Sequence, residues 1–208
     1  MITDSLNPLT VLLFVGAVLA AFVLAGTYVF ARVTKRERVA RISSRVFVGG
    51  AAIYVALILI GSLTSHSRAL APGAEKHICE IDCHLAYSVA AARAESVGGG
   101  LVRHVVTVKV RFDEETISSR RSRTAALTPN RRFVALVDSE GNQYLGSTDS
   151  LRRPLVPGES YTTDIAFEVP MKATDLRLIL RNADPETALI IGHENSLFHR
   201  RTTFQLPG

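Results

Sequence analysis

Both cysteines of the chain and two of its six histidines fall within eight consecutive residues, His77-Ile78-Cys79-Glu80-Ile81-Asp82-Cys83-His84. Thiolate and imidazole are ligands for copper and zinc, and two thiols can equally oxidise to a disulfide. Spacing separates these chemistries only in part. In a strand, residues four apart lie about 13 Å from one another, far outside disulfide range, whereas a helical turn brings them to about 6 Å. A Cys79–Cys83 bond therefore predicts a turn between them. His77, Cys79, Cys83 and His84 are also the candidate ligands of a mononuclear metal site. Adjacent Cys83 and His84 would point to opposite faces of a strand, so both reach one ion only if the backbone turns there. A thiol-redox or copper-delivery role is a further alternative. The compartment decides among them, because disulfides persist in oxidising spaces.

Other chemistry-bearing residues have plainer readings. His193 and His199 in "GHENSLFHRR" are near enough to join such a site, but two histidines beside a polar turn are expected to be solvated. The run Asp113-Glu114-Glu115 reads as exposed surface rather than as a calcium or catalytic site. Arg120, Arg121 and Arg123, with Arg131 and Arg132, are expected to keep a loop soluble at a sheet edge, or else to meet anionic lipid or an acidic partner. The sequence contains neither Gly-x-Ser-x-Gly nor a glycine-rich phosphate loop leading into a helix. No catalytic residue, cofactor or small-molecule substrate is assigned from it.

The elements that must position the cysteines begin with two apolar runs. Leu9 to Phe30 is an uncharged stretch of 22 residues and Val46 to Leu63 one of 18. At about 1.5 Å per residue each is long enough for a hydrocarbon core of about 30 Å, and neither carries Lys, Arg, His, Asp or Glu, which argues against an ion pathway through this chain alone. The flank "MITDSLNP" has no basic residue, unlike a secretory signal, so the first run is expected to stay in the protein. Small residues (Gly16 with Ala20, Ala21 with Ala25, Gly49 to Ala52) would let the helices pack closely, against each other or against a larger complex.

Residues 31–45 between the runs carry Arg32, Lys35, Arg36, Arg38, Arg41 and Arg45 against Glu37 alone. Basic residues in short connections stay in the cytoplasm, so the N-terminus and everything after about Thr64 are expected outside. Six positive charges against one negative give +5, which is also the net charge of the whole chain. The basic balance is thus an orientation signal, and nucleic-acid binding is not expected.

Residues 64–77 include Pro72-Gly73 and show no apolar period, which reads as a linker. Strand patterns follow it. Leu85 to Ala94 leads to the triplet Gly98 to Gly100, and in "RHVVTVKVRFD" Val106, Val108, Val110 and Phe112 alternate with polar residues. Residues 114–130 read as a long polar loop. Phe133, Ala135 and Val137 alternate before the turn residues Asp138 to Gly141, and Gln143 to Leu145 returns as a hairpin strand. Tyr161, Thr163, Ile165, Phe167 and Val169 share one face of the next strand, which ends at Pro170. "DLRLILRN", the apolar segment "ALIIGH" and "RRTTFQL" complete the chain. Seven to nine short strands at close spacing predict an all-β sandwich over 78–208 behind a transmembrane hairpin over 1–63.

The succession "FVALVDSEGNQY", "LVPGESYTTDIAFEVP" and "LRLIL", about Arg131 to Leu180, resembles the telokin-like, immunoglobulin-like domains of secreted and membrane-anchored bacterial proteins. That resemblance implies an immunoglobulin-like sandwich that binds or scaffolds, a bacterial source, and an oxidising outer compartment in which Cys79 and Cys83 form a disulfide. A two-helix hairpin with an outer β-domain carrying Cys-x-x-x-Cys also resembles the second subunit of haem-copper oxidases, which implies a dinuclear copper centre. In that family, however, the pair lies late in the domain, with a histidine a few residues after the second cysteine, a methionine soon after, and another histidine from an earlier strand. Here the pair opens the domain, His84 directly follows Cys83, Met171 is the only methionine besides Met1, and tryptophan is absent.

The expectation is a two-pass bacterial inner-membrane protein, N-out and C-out, displaying a β-sandwich in the periplasm. Its partners would be the lipid bilayer and another envelope protein, and its work binding or scaffolding without catalysis. The alternative is a copper-handling or electron-transfer subunit centred on Cys79 and Cys83.

Overall fold

The computed structural model describes residues 2–4, 8–79, 83–118 and 120–207, with 2–4 and 8 given by their backbone alone. The chain divides into two compact units. One holds Met1–Ser5, Ser67–Asp184 and Arg201–Gly208, and the other Leu6–His66 and Pro185–Arg200.

The second unit contains helices α1 (Pro8–Val33) and α2 (Glu37–Leu63), both long and apolar enough to cross a membrane. Most of their large apolar side chains are exposed, among them Leu12, Leu19, Phe22, Val29, Val48, Ile53 and Ile60. The connection expected over 31–45 is reduced to Thr34–Arg36, because α1 runs on to Val33 and α2 already starts at Glu37. Arg, Glu and Ala favour helix, so the apolar run marked a possible span of lipid and not the ends of the helices. Lys35 turns the corner at φ 55°, with Arg36 N–H donating to the Ala31 carbonyl at 2.8 Å.

The first unit is a β-sandwich of two five-stranded sheets. Its strands are β1 (Ile2–Asp4), β2 (Arg68–Leu70), β3 (Lys76–Ile78), β4 (Leu85–Gly98), β5 (Leu101–Phe112), β6 (Arg132–Val137), β7 (Gln143–Leu145), β8 (Ser160–Pro170), β9 (Arg177–Asn182) and β10 (Thr202–Gln205). One sheet runs β1-β3-β4-β5-β8 and the other β2-β10-β9-β6-β7. All neighbours are antiparallel except β1 with β3 and β2 with β10. The stretch expected to be a linker, 64–77, thus supplies β2 and most of β3, one strand to each sheet. Each has three residues, too few for an alternation to register.

Period two is borne out in β5 and β8, where Val106, Val108, Val110, Phe112, Ile165, Phe167 and Val169 are all at most 2% exposed and fill the space between the sheets with Leu178, Leu180 and Phe204. Strand β6 is phased the other way from the expected Phe133, Ala135 and Val137. Val134 and Leu136 enter the core, and Phe133 lies on the opposite face beneath the Arg181 guanidinium, 4.3 Å from its ring centre. "FVALV" is apolar on both faces, so its pattern cannot choose a side.

The turns follow their residues. Gly141 takes φ 87°, and the Asp138 carboxylate accepts from Glu140 N, Asn142 N and Tyr144 Oη at 3.0, 2.9 and 2.9 Å. Pro157-Gly158 occupies the centre of a turn closed by Glu159 N–H to the Val156 carbonyl at 3.0 Å, with Gly158 at φ 83°, the positive φ that a type II turn needs.

Candidate functional site

His77 lies in β3, and Cys79, Cys83 and His84 lie in the stretch between β3 and β4. Cys79 and Cys83 are joined as a disulfide with their Cα atoms 4.1 Å apart; residues 80–82, over which a turn was expected, lie outside the described residues. Two sulfurs bonded to each other present no thiolate to a metal. His77, 1% exposed, directs Nε2 at Asp113 Oδ2, 2.9 Å away. A carboxylate only accepts, so Nε2–H is the donor. His84 turns to Thr116, with Nδ1 and Oγ1 at 2.7 Å. The Thr116 hydroxyl already donates to the Asp113 carbonyl at 2.8 Å, which leaves His84 Nδ1 as the donor of its own bond. The His84 ring stacks on Phe112, centroids 5.6 Å apart. The two imidazoles are therefore each engaged by β5 and the residues after it, and among the described residues no group of three or more His, Cys, Asp or Glu is arranged to hold a metal ion.

Asp113 organises this corner, and the expectation of a solvated acidic run is corrected for it. It is 1% exposed and accepts from His77, from Arg111 Nη1 at 3.2 Å and from Glu115 N at 3.2 Å. Burial pushes its carboxyl up, but the bonds from His77, the Glu115 amide and Arg111 outweigh that and hold it below the ordinary range. Arg111 also grips Glu75 through both carboxylate oxygens, at 2.9 and 2.7 Å. That paired bond holds the Glu75 carboxyl down and the guanidinium up. Glu75-Arg111-Asp113-His77 is thus one charge-linked chain tying the residues before the disulfide to the end of β5. An open cavity of about 530 Å³ is lined by Gly73, Ala74, Glu75, His77, Arg111, Asp113 and Glu115. His77 Nδ1 is buried and meets no hydrogen-bond partner among the described residues. Chemically the corner is a carboxylate-oriented imidazole beside a disulfide, arranged as a clamp on the start of the sandwich.

The remaining candidates separate. Glu114 pairs with Arg123 at 3.0 Å at the surface. Arg121 lies over Phe112, 5.5 Å from its centre. Arg132, expected in an exposed basic loop, is 3% exposed and donates Nε–H to Tyr87 Oη at 2.9 Å. His193 and His199 belong to the other compact unit, where His193 Nδ1 accepts from Asn195 N at 3.0 Å.

One feature the sequence did not reveal is a rank of inward side chains across the first sheet, Lys76, Tyr87, Val110 and Tyr161 in register. Lys76 is fully buried and donates to the Leu180 carbonyl of the facing sheet at 3.0 Å. Tyr161 is pushed up to about 12, chiefly by burial and then by Tyr87. A fully buried lysine runs against composition rules, and nothing in "AEKHIC" marks it as internal.

No protein-family model and no curated protein matches the chain. Structural similarity is found to three bacterial proteins. An uncharacterised β-sandwich protein from Clostridium difficile 630 has 10% identity and a TM-score of 0.39, over 69% of this chain and 96% of its own. The secreted protein MPT63 of Mycobacterium tuberculosis has 12% identity and a TM-score of 0.44, over 68% and 99%. A conserved hypothetical protein of Bacillus anthracis has 19% identity and a TM-score of 0.32, over 52% and 92%.

Proposed function

We propose that this chain is a two-pass protein of the bacterial cytoplasmic membrane that displays an immunoglobulin-like, telokin-like β-sandwich on the outer side as a non-catalytic binding or scaffold module. The observation that carries the reading is the coincidence of two exposed apolar helices with a basic connection at Arg32, Lys35, Arg36, Arg38, Arg41 and Arg45. Three further features support it. The residues before α1 and those after α2 enter the same sheet, as β1 and β3, which suits a hairpin with both ends on one side. The Cys79–Cys83 disulfide suits an oxidising compartment. The Asp138–Gly141 and Pro157-Gly158 turns and the close of β8 at Pro170 fall where the telokin-like resemblance needs them.

Strand β8, eleven residues long, is an edge of its sheet and the surface we assign to another envelope protein by strand addition. Its exposed Asp164 and Glu168 pair with Arg93 and Arg103 at 3.0 and 3.3 Å, charges that discourage indiscriminate edge pairing. A photo-crosslinking residue at Glu168, with Leu145 as the control position, tests this in intact cells. A discrete adduct from Glu168 alone supports the reading, and equal or absent capture from both positions overturns it. The copper-handling alternative requires the two sulfurs as free thiols; thiol titration with metal analysis of unreduced protein separates it, since that reading needs reactive thiols with stoichiometric copper.

A further inference from the structure

The segment Pro185–Arg200 follows the last long strand pair, yet it belongs to the compact unit of the helices and not to the sandwich. Three contacts set it along α2 and the residues just after it. Tyr54 donates its hydroxyl to the Leu189 carbonyl at 2.8 Å. A Cβ on Gly61 would lie 3.4 Å from Gly192 N and from Ile191 Cγ2. Arg200 N–H donates to Ser65 Oγ at 2.8 Å. The order 54, 61, 65 against 189, 192, 200 means that the segment climbs beside the helix toward its C-terminal end. Tyr54, whose hydroxyl holds the Leu189 carbonyl, lies nine residues before the last residue of α2, about 14 Å along the axis at 1.5 Å each. Leu189 also lines an apolar cavity of about 320 Å³ between the two helices.

A series of turn bonds runs through this collar. Ile190 N–H bonds to the Thr187 carbonyl, His193 to Ile190, Ser196 to His193 and His199 to Ser196, at 3.2, 3.1, 2.9 and 3.1 Å. Ser196 Oγ donates to the Ile190 carbonyl at 2.6 Å and Asn195 Nδ2 to Thr187 Oγ1 at 2.7 Å. These bonds satisfy part of the irregular backbone, which suits the polar interface and not the hydrocarbon core. Its apolar side chains do the opposite of what a water-facing loop requires: Leu189, Leu197 and Phe198 are 51, 64 and 72% exposed. Phe198 moreover sits at φ 64°, a left-handed conformation unfavourable for a bulky residue, and the conformation leaves its ring outward. Basic His199 and Arg200 follow it directly.

We propose that this collar is an interfacial membrane anchor. Leu189, Leu197 and Phe198 insert among the acyl chains of the outer leaflet at the edge of the hairpin, and His199 and Arg200 meet anionic phospholipid headgroups. The proposal rests on the transmembrane reading of α1 and α2, and its occupant is the lipid surface that those helices already face.

The absence of tryptophan makes the test direct. Single Phe198→Trp, Leu197→Trp, Phe22→Trp and Leu145→Trp variants of the full chain are reconstituted in phosphatidylglycerol vesicles with bromine on the acyl chains. Phe22 on α1 is 73% exposed and reports on the hairpin; Leu145 on the sandwich is 69% exposed and reports on solvent. The expected result is blue-shifted emission and loss of most of the signal at positions 198, 197 and 22, with solvent-like, unquenched emission at 145. Quenching at 22 but not at 197 or 198 overturns the anchor and leaves the hairpin standing. Loss of quenching at all positions overturns both.

Discussion

Removing the Cys79–Cys83 bond has a size that the structure fixes in advance. The bond closes a loop of five residues, the two cysteines being four apart in sequence, and chain-entropy arithmetic for so short a loop gives about 2 kcal/mol. The cost stays small because β3 is held independently by its pairing to β4 and by His77 on Asp113. In a Cys79→Ala/Cys83→Ala variant of the full chain in mild detergent, urea unfolding can be followed by near-ultraviolet circular dichroism of the tyrosines. Tyr87 and Tyr161, 0 and 9% exposed, report on the core. With a urea dependence of about 2 kcal/mol per M, the midpoint should fall by about 1 M with unchanged slope. A chemical reductant should reproduce the shift in the natural sequence and do nothing to the variant. An unchanged midpoint, or loss of the folded sandwich altogether, would refute the view of the bond as a local clip on an otherwise self-sufficient domain.

Three further outcomes follow from the same packing. Gly146→Ala places a Cβ 2.5 Å from Phe167 Cε1 and 2.6 Å from Ile165 Cγ2, both in the core, so unfolding should show a loss of about 1–3 kcal/mol, partly restored by Phe167→Leu in the double variant. Asp113→Asn removes the charged acceptor of His77 and Arg111 and should cost about 2 kcal/mol at neutral pH. The folded Asp113 carboxyl is held low, so its stabilisation is complete above the ordinary carboxylate pKa of about 4 and vanishes as pH falls through the lower folded value; an acid titration of stability should therefore be steeper in the natural chain than in the variant. Leu178→Ala, at a side chain with no exposure, should cost about 2–5 kcal/mol, measured by the same urea assay.

The sandwich was legible wherever a strand is long and two-faced, as in β5 and β8. It was illegible in β2 and β3, each only three residues long, with β2 paired to the distant β10 and β3 set between the distant β1 and the nearby β4. The burial of Lys76 and His77 there depends on acceptors that no local pattern announces, the Leu180 carbonyl and Asp113. The phase of β6 was open because both of its faces are apolar and the facing sheet alone selects Val134 and Leu136. "HICEIDCH" could be recognised as a candidate from composition, and the disulfide was one of its readings, beside a mononuclear metal site, a dinuclear copper centre and a thiol-redox or copper-delivery role. That its histidines turn away to Asp113 and Thr116 required the fold, since those partners lie 36 and 32 residues away. The apolar stretch Ala188–His193 looks strand-like in sequence, but it forms one end of a short 3₁₀ turn and successive bends beside α2.

The orientation of the hairpin underlies the whole account, and the lysines measure it. Lys35 lies exposed in the connection between the helices, Lys172 lies exposed after β8, and Lys76 is enclosed. Intact spheroplasts treated with a membrane-impermeant amine reagent, followed by peptide mass spectrometry, should show Lys172 modified and Lys35 modified only after lysis. Modification of Lys35 in intact cells with Lys172 protected would invert the topology and contradict the display of the sandwich, its disulfide and its proposed partner on the outer side.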